Sequence, residues 1–361
     1  MGFRDYYRQF DDIDQSALNL ARRARRRREK KLALERQPDI DLSGTEWPDL
    51  PDSEIVNAAI ARARGGVNGY PDRYAVAVRR LLAERHAVEP EQIVLGNGAA
   101  ELLQAAALAL LSPGDELVMP WPSYPLYPLM AARAGATPVS VDHGPLLEAV
   151  SERTRAVVIC NPNDPTGTYI PSEELGGLLS GLPEGVHVLL DEALVQFQDV
   201  EDVDACLRLV DAFPRLLVVR TFSKIYGLSG LRAGYAIGSD ARVLAAVAPV
   251  LGVNALTQAA VEHALRNYDA EIERRRHAVS RERRHLIDAL RAMGADVTDS
   301  QANFLWISIR DLSGDELANA LRRQGVIVAP GGPLGEDHHV RAAILGEQAT
   351  QRLLRAVENV L

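Results

Sequence analysis

Cysteine is almost absent: the 361 residues contain two, Cys160 and Cys206, with no metal-ligand spacing between them or around them. Both sit in apolar contexts, which excludes a disulfide-framed scaffold and reads as buried free thiols in a reducing cytoplasm. Long apolar runs are missing too. No stretch reaches the roughly 20 residues that span a bilayer, and the opening MGFRDYYRQFDD lacks the apolar centre of a secretory leader. The expectation is a cytoplasmic protein with no membrane partner. Nucleotide-binding loops of the Gly-x-Gly-x-x-Gly or Gly-Lys-Ser/Thr form do not occur where a strand meets a helix. No internal repeat is visible. His338 and His339 are adjacent, but neighbours in an extended segment point to opposite sides, so they do not make a metal site.

What remains is an ordinary globular composition, 47% hydrophobic and 25% charged, with a net charge of −9. Against that acidity stands one basic run, Arg22–Lys31 (RRARRRREKK). With no nucleic-acid motif elsewhere, it reads as a solvated helix or dimer-crossing arm rather than a nucleic-acid contact. Residues 1–45 form an extension without a core of its own. From about residue 53 helical and strand patterns alternate. EQIVLGNG, DELVMP, TPVSV, RAVVIC, VHVLLDEA, LLVVRTF and AGYAIG are short, apolar and rich in β-branched residues. Runs of this kind between helices predict a mostly parallel seven-stranded sheet covered on both faces, an α/β domain over 46–255. The spacing over 257–293 predicts one long charged interdomain helix. FLWISI, VIVAP and HVRAAIL, with a helix capped by Ser313-x-x-Glu316, predict a smaller α+β domain over 256–361.

Polar residues collect where strands end, the place open α/β sheets bind ligands. The turn Gly96-Asn97-Gly98-Ala99-Ala100 lets backbone N–H groups approach an anion at a helix N-terminus, although many such glycines serve geometry alone. Asp191 closes the apolar run VHVLLD, as a cap or as a functional carboxylate. Lys224, in TFSKIYGLSGLRAGY, sits between a strand end and a glycine loop. Burial there favours a neutral amine, which can attack a carbonyl. Arg232 follows eight residues later, a companion for an anion.

These residues, with YPD at 70–72, GNGAAE at 96–101, PSYPLY at 122–127 and NPNDPTG at 161–167, occur in the order found in fold-type I pyridoxal-phosphate enzymes. From about residue 42 onward the chain resembles the class I/II aminotransferases, on the histidinol-phosphate aminotransferase branch. The resemblance implies that Lys224 carries pyridoxal 5′-phosphate as a Schiff base and moves the substrate proton. It implies that Asp191 pairs with the pyridinium nitrogen and that Tyr124 stacks on the ring. Backbone N–H groups at Ala99 and Ala100, with Ser223, Arg232 and nearby Thr221, would hold the phosphate. Tyr70 would reach that phosphate from the other subunit of a homodimer. Arg341 would clamp the substrate α-carboxylate, and Asn303 would lie near the domain junction. The implied activity is amino transfer between an amino acid or related amine and a 2-oxo acid.

Two departures qualify that reading. The residue before Pro-Thr-Gly, usually an asparagine that donates to the cofactor's O3′, is Asp164, and a carboxylate cannot donate unless protonated. A tyrosine that also donates to O3′ is replaced by Leu194. Asp164 is therefore expected to share a proton with the cofactor, or else to turn outward as a cap while Asn161 or Asn163 donates. On the substrate side, Thr45-Glu46-Trp47-Pro48 stands where Asn-Glu-Asn-Pro is usual, and Ala329 replaces a phosphate-binding arginine. Histidinol phosphate is thus a poor match, and Trp47 suggests a less polar or bulkier amine. Decarboxylation or oxidation on the same fold, and a PLP-fold scaffold recruited by its basic arm, are the rival readings.

Overall fold

A computed structural model of the chain describes residues 38–142 and 145–361, with Arg22 and Arg25. Most of the basic run lies outside the described residues. Residues 41–361 form one compact unit.

The seven apolar runs all become strands of one sheet: β1 (Ile93–Gly96), β2 (Glu116–Trp121), β3 (Thr137–Asp142), β4 (Thr154–Cys160), β5 (His187–Asp191), β6 (Leu216–Thr221) and β7 (Gly234–Gly238). Their order is β3-β2-β4-β5-β6-β7-β1. β7 runs antiparallel to both its neighbours and the other pairs are parallel. The central strands show no alternation because both faces are covered: every residue of β6 is buried, as are four of the five of β5. Helix α3 (Ala99–Leu110) lies on one face, burying Leu102, Leu103, Ala106 and Ala107; its small alanines let it sit close to the sheet. Gly234 is required by that closeness. A Cβ there would come within 2.6 Å of the Ala99 amide nitrogen.

The smaller sheet is antiparallel, with β8 (Asp296–Val297), β9 (Phe304–Ser308), β10 (Ala329–Pro330) and β11 (His339–Ala343) in the order β10-β11-β9-β8. Helix α9 (Gly314–Arg323) starts at the expected capping box: Ser313 Oγ accepts from the Glu316 N–H and the Glu316 carboxylate accepts from the Ser313 N–H.

The single helix expected over 257–293 is two helices, α7 (Ala255–Asn267) and α8 (Asp269–Ala292). The break at Tyr268 has local causes. The Asn267 amide folds back to donate to the His263 carbonyl at 2.9 Å, Arg85 donates to the Leu265 carbonyl at 2.9 Å, and Asp269 supplies the acid of a new first turn. α8 joins the two sheets through Arg283, whose guanidinium donates to the carbonyls of Phe197 (2.8 Å) and Ala302 (3.1 Å).

Inside β6 an arginine is wholly buried. Arg220 pairs with Glu192 at 2.7 Å and with Asp204 at 2.5 Å, and donates to the Val203 carbonyl at 2.7 Å. His86 completes the cluster between Asp204 (2.9 Å) and the Tyr235 hydroxyl (3.0 Å). Burial pushes the Glu192 carboxyl up to about 6, with Arg220 opposing. Removing the one cation strands two carboxylates. Arg220→Ala is expected to cost about 3–5 kcal/mol, measured as a fall in the urea midpoint. A loss below about 1 kcal/mol would show the cluster to be dispensable.

Candidate active site

Because β4, β5 and β6 are parallel, their last residues share one edge. Cys160 is registered opposite Asp191, and Thr221 opposite Gly234, which in turn faces Gly96 at the mouth of α3. A cavity of about 350 Å³ opens there. Of the sequence-derived candidates, Ala99, Ala100, Tyr124, Asp164, Asp191, Thr221, Ser223, Lys224, Arg232 and Arg341 all line it.

One end is built for an anion. α3 begins at Gly98 with no side-chain cap, leaving the first amides open toward the cavity. The Arg232 guanidinium lies directly over Gly98, where a Cβ would sit 2.4 Å from Nη2, and the positive φ of 95° also favours glycine. Arg232 donates to Ser223 Oγ at 3.3 Å, and the Ser223 N–H donates to Thr221 Oγ1 at 3.0 Å. Amides, guanidinium and hydroxyl converge as a phosphate monoester requires.

The floor is Asp191. Its Oδ1 accepts from the Ala193 N–H at 3.0 Å and its Oδ2 from the Tyr127 hydroxyl at 2.9 Å. Burial nevertheless dominates and pushes its carboxyl up to about 6, with those two hydrogen bonds opposing. A buried carboxylate with donors but no paired cation suits a pyridinium N–H. Tyr127 was not singled out in the sequence, although it sits three residues after Tyr124 in the stretch PSYPLY, on the helix Leu126–Arg133 that follows. The two rings meet edge to face at 5.7 Å, and Tyr124 keeps enough exposure to cover a ligand.

Lys224 faces the same space and donates to Thr45 Oγ1. Burial chiefly lowers its pKa, and nearby Arg341 adds to this; Asp164, Glu46 and Asp191 oppose. The amine is therefore shifted toward the neutral, nucleophilic form. Thr45 had no assigned role in the sequence. It is held by Asn303, which is buried outside the cavity wall and donates from Nδ2 to the Thr45 carbonyl at 3.1 Å.

Asp164 neither turns outward nor leaves its place to another residue of the turn. It pairs with Arg341 at 2.5 Å. Asn161 is bound to the Ile170 backbone through both amide ends, and Asn163 to Pro122, Thr166 and Ser123. Neither lines the cavity. Leu194 contributes a buried apolar wall. Trp47 stands beside the cavity rather than in its wall. Its ring packs under Arg275, 4.5 Å from the guanidinium carbon, and Glu46 takes the lining position instead. Tyr70 is 85% exposed and lies outside this cavity of its own chain.

The family model described as aminotransferase class I and II matches residues 37–357. A histidinol-phosphate aminotransferase of Nitrosococcus oceani is 36% identical over 331 residues, 89% of each chain. An aromatic amino acid aminotransferase of Corynebacterium efficiens is 36% identical over 334 residues, 89% of this chain and 93% of that one. Among solved structures, a variant of the Thermus thermophilus aspartate aminotransferase superposes with a TM-score of 0.80 at 25% identity, covering 90% of this chain and 97% of its own.

Asp191 makes stability pH-dependent in a definite sense. The native carboxyl keeps its proton to about pH 6, whereas the unfolded one releases it near 4. Its contribution is therefore most favourable below about pH 4, declines between about 4 and 6, and stays unfavourable above. Asp191→Asn can still accept from Ala193 and donate to Tyr127. In cofactor-free protein it is expected to add up to about 3 kcal/mol at pH 8, and much less at pH 4.5. Thermal melts at the two pH values check this; an equal gain at both contradicts it.

Proposed function

Since the chain belongs to the class I and II aminotransferases, we propose that it transfers an amino group between an amine donor and a 2-oxo acid, with pyridoxal 5′-phosphate held by Lys224. The observation that carries this is the meeting, in one cavity, of a buried amine of lowered pKa, a buried carboxylate without a cation, and an anion cradle. When bound, the cofactor supplies an electron sink for the charge left on the donor carbon. The chain supplies the rest. Arg232, Ser223 and the Ala99 and Ala100 amides bind the phosphate, with Thr221 setting the Ser223 backbone. Asp191, oriented by Tyr127, holds a proton on the ring nitrogen. Tyr124 would cover the ring, and the Lys224 amine would take the proton from the donor carbon and deliver it to the cofactor carbon that carries the amine nitrogen, the reverse transfer serving the oxo acid.

The same reading assigns residues 46–255 to a large cofactor domain and 256–361 to a small one, supported by the two separate sheets. Histidinol phosphate is disfavoured as substrate: Ala329, opposite Arg341 in the small sheet, offers no guanidinium for a second phosphate. The reducing, cytoplasmic setting rests on the two free, buried cysteines. No helix among the described residues is long and apolar enough to cross a membrane.

A homodimer is part of the proposal. An apolar groove lined by Leu50, Ile55, Val56, Ile60 and Leu256 lies on the same unit, and Tyr70 is free to reach a second copy.

Protein purified with pyridoxal phosphate is expected to be yellow. Lys224→Ala is expected to lose the lysine-bound yellow chromophore and at least about 10³-fold in kcat, read in the absorption spectrum and a coupled oxo-acid assay. Retention of both would refute the assignment. Ile60→Glu is expected to shift sedimentation from dimer to monomer; an unchanged dimer would move the interface elsewhere.

A further inference from the structure

We propose that Asp164 is a built-in ligand of Arg341, directing the donor half of the reaction to amines that carry no carboxylate on the amine-bearing carbon. The inference rests on the aminotransferase reading and names its substrate class.

Arg341 is the one arginine of the small sheet that lines the cavity. Its guanidinium is held at both terminal nitrogens and on one face. Nη1 pairs with Asp164 Oδ1 at 2.5 Å, Nη2 donates to the Ser43 carbonyl at 3.0 Å, and the Phe304 ring lies against it with its centroid 5.3 Å away. Both members of the pair are 12% exposed, so water screens the interaction little. A second carboxylate stands nearby. Glu46 lines the same cavity and folds back over Gly44, where a Cβ would meet its Oε2 at 2.4 Å. The substrate side thus holds two carboxylates and one guanidinium beside the Lys224 amine.

A substrate carboxylate can reach Arg341 only by displacing Asp164. That leaves a second buried carboxylate unpaired, near Glu46, and breaking a buried pair from one side is costly. An asparagine at 164 would instead leave the guanidinium's charge unspent. An amine without the carboxylate leaves the pair intact and brings a cation into an acidic wall. Discrimination here comes from the penalty on the wrong substrate as much as from attraction to the right one. The same pair sets a high KM for the oxo-acid acceptor.

The test uses the full-length chain as purified, wild type and Asp164→Asn. Calorimetric titration with 3-phenylpropionate, a carboxylate with no amine, is expected to show at least tenfold tighter binding to the variant. Equal affinity, including no binding to either, overturns the proposal. In a second arm 2-phenylethylamine and phenylalanine, which differ only in the carboxylate, are mixed with each protein and the bound cofactor's spectrum is followed. Wild type is expected to convert faster with the amine, and the variant with the amino acid. A wild type that prefers phenylalanine overturns the proposal, whether or not the variant folds. If no lysine-bound chromophore forms at all, the aminotransferase reading fails, and the titration still decides the role of Asp164.

Discussion

Asp191 and Glu192 are consecutive residues at the end of β5, both buried, and both have carboxyls pushed up to about 6. A carboxylate taken out of water must find a cation or give up its charge. Neighbours at a strand end point to opposite sides, and the two sides solve the problem differently. Behind the sheet, Glu192 has Arg220 from the next strand, and Asp204 and His86 close the cluster. On the cavity side, Asp191 has among the described residues only the Tyr127 hydroxyl and the Ala193 amide as hydrogen-bond donors. The fold holds a charge there that it does not neutralise. The anion cradle at Gly98 and Arg232 and the lowered amine of Lys224 acquire their meaning from that unmet demand, because one ligand bearing a cationic ring, a carbonyl and a phosphate satisfies all three.

Charge is handled differently at the other end of the cavity. Arg341 comes from the small sheet and Asp164 from the turn after β4 of the large one, and the two neutralise each other across the cavity. The guanidinium expected to recognise a substrate carboxylate therefore meets one already supplied by the chain.

Most of this arrangement was legible in the residues. Seven apolar runs of strand length gave seven strands, since continuous β-branched runs flanked by helical patterns have few other homes. Residue type and strand-end position singled out the glycine turn at 96–100, Asp191, Lys224 and Arg232; the other cavity-lining residues, Arg341 above all, came only through the family resemblance. Tyr127 and Thr45 were not: a hydroxyl that orients a carboxylate, or receives a lysine's hydrogen bond, has no spacing signature of its own. The side of the cavity on which Trp47 stands was not legible, because packing against Arg275 decides which way its ring turns. The break at Tyr268 escaped because a side-chain cap from Asn267 and a distant Arg85 end the helix while its apolar periodicity continues.

The turn that carries Asp164 is fastened from both sides. The Gly167 carbonyl accepts from the Gln301 N–H at 2.6 Å, the Thr166 carbonyl accepts from the Thr298 hydroxyl at 2.5 Å, and the Asn163 side chain ties the turn to Pro122 at 3.0 Å. None of these bonds uses the Asp164 side chain. The backbone is thus held in place whichever of the two near-isosteric side chains, carboxylate or amide, stands at that position. A lineage carrying this fold can change the sign of what its cavity admits through a single codon, leaving the inherited architecture untouched.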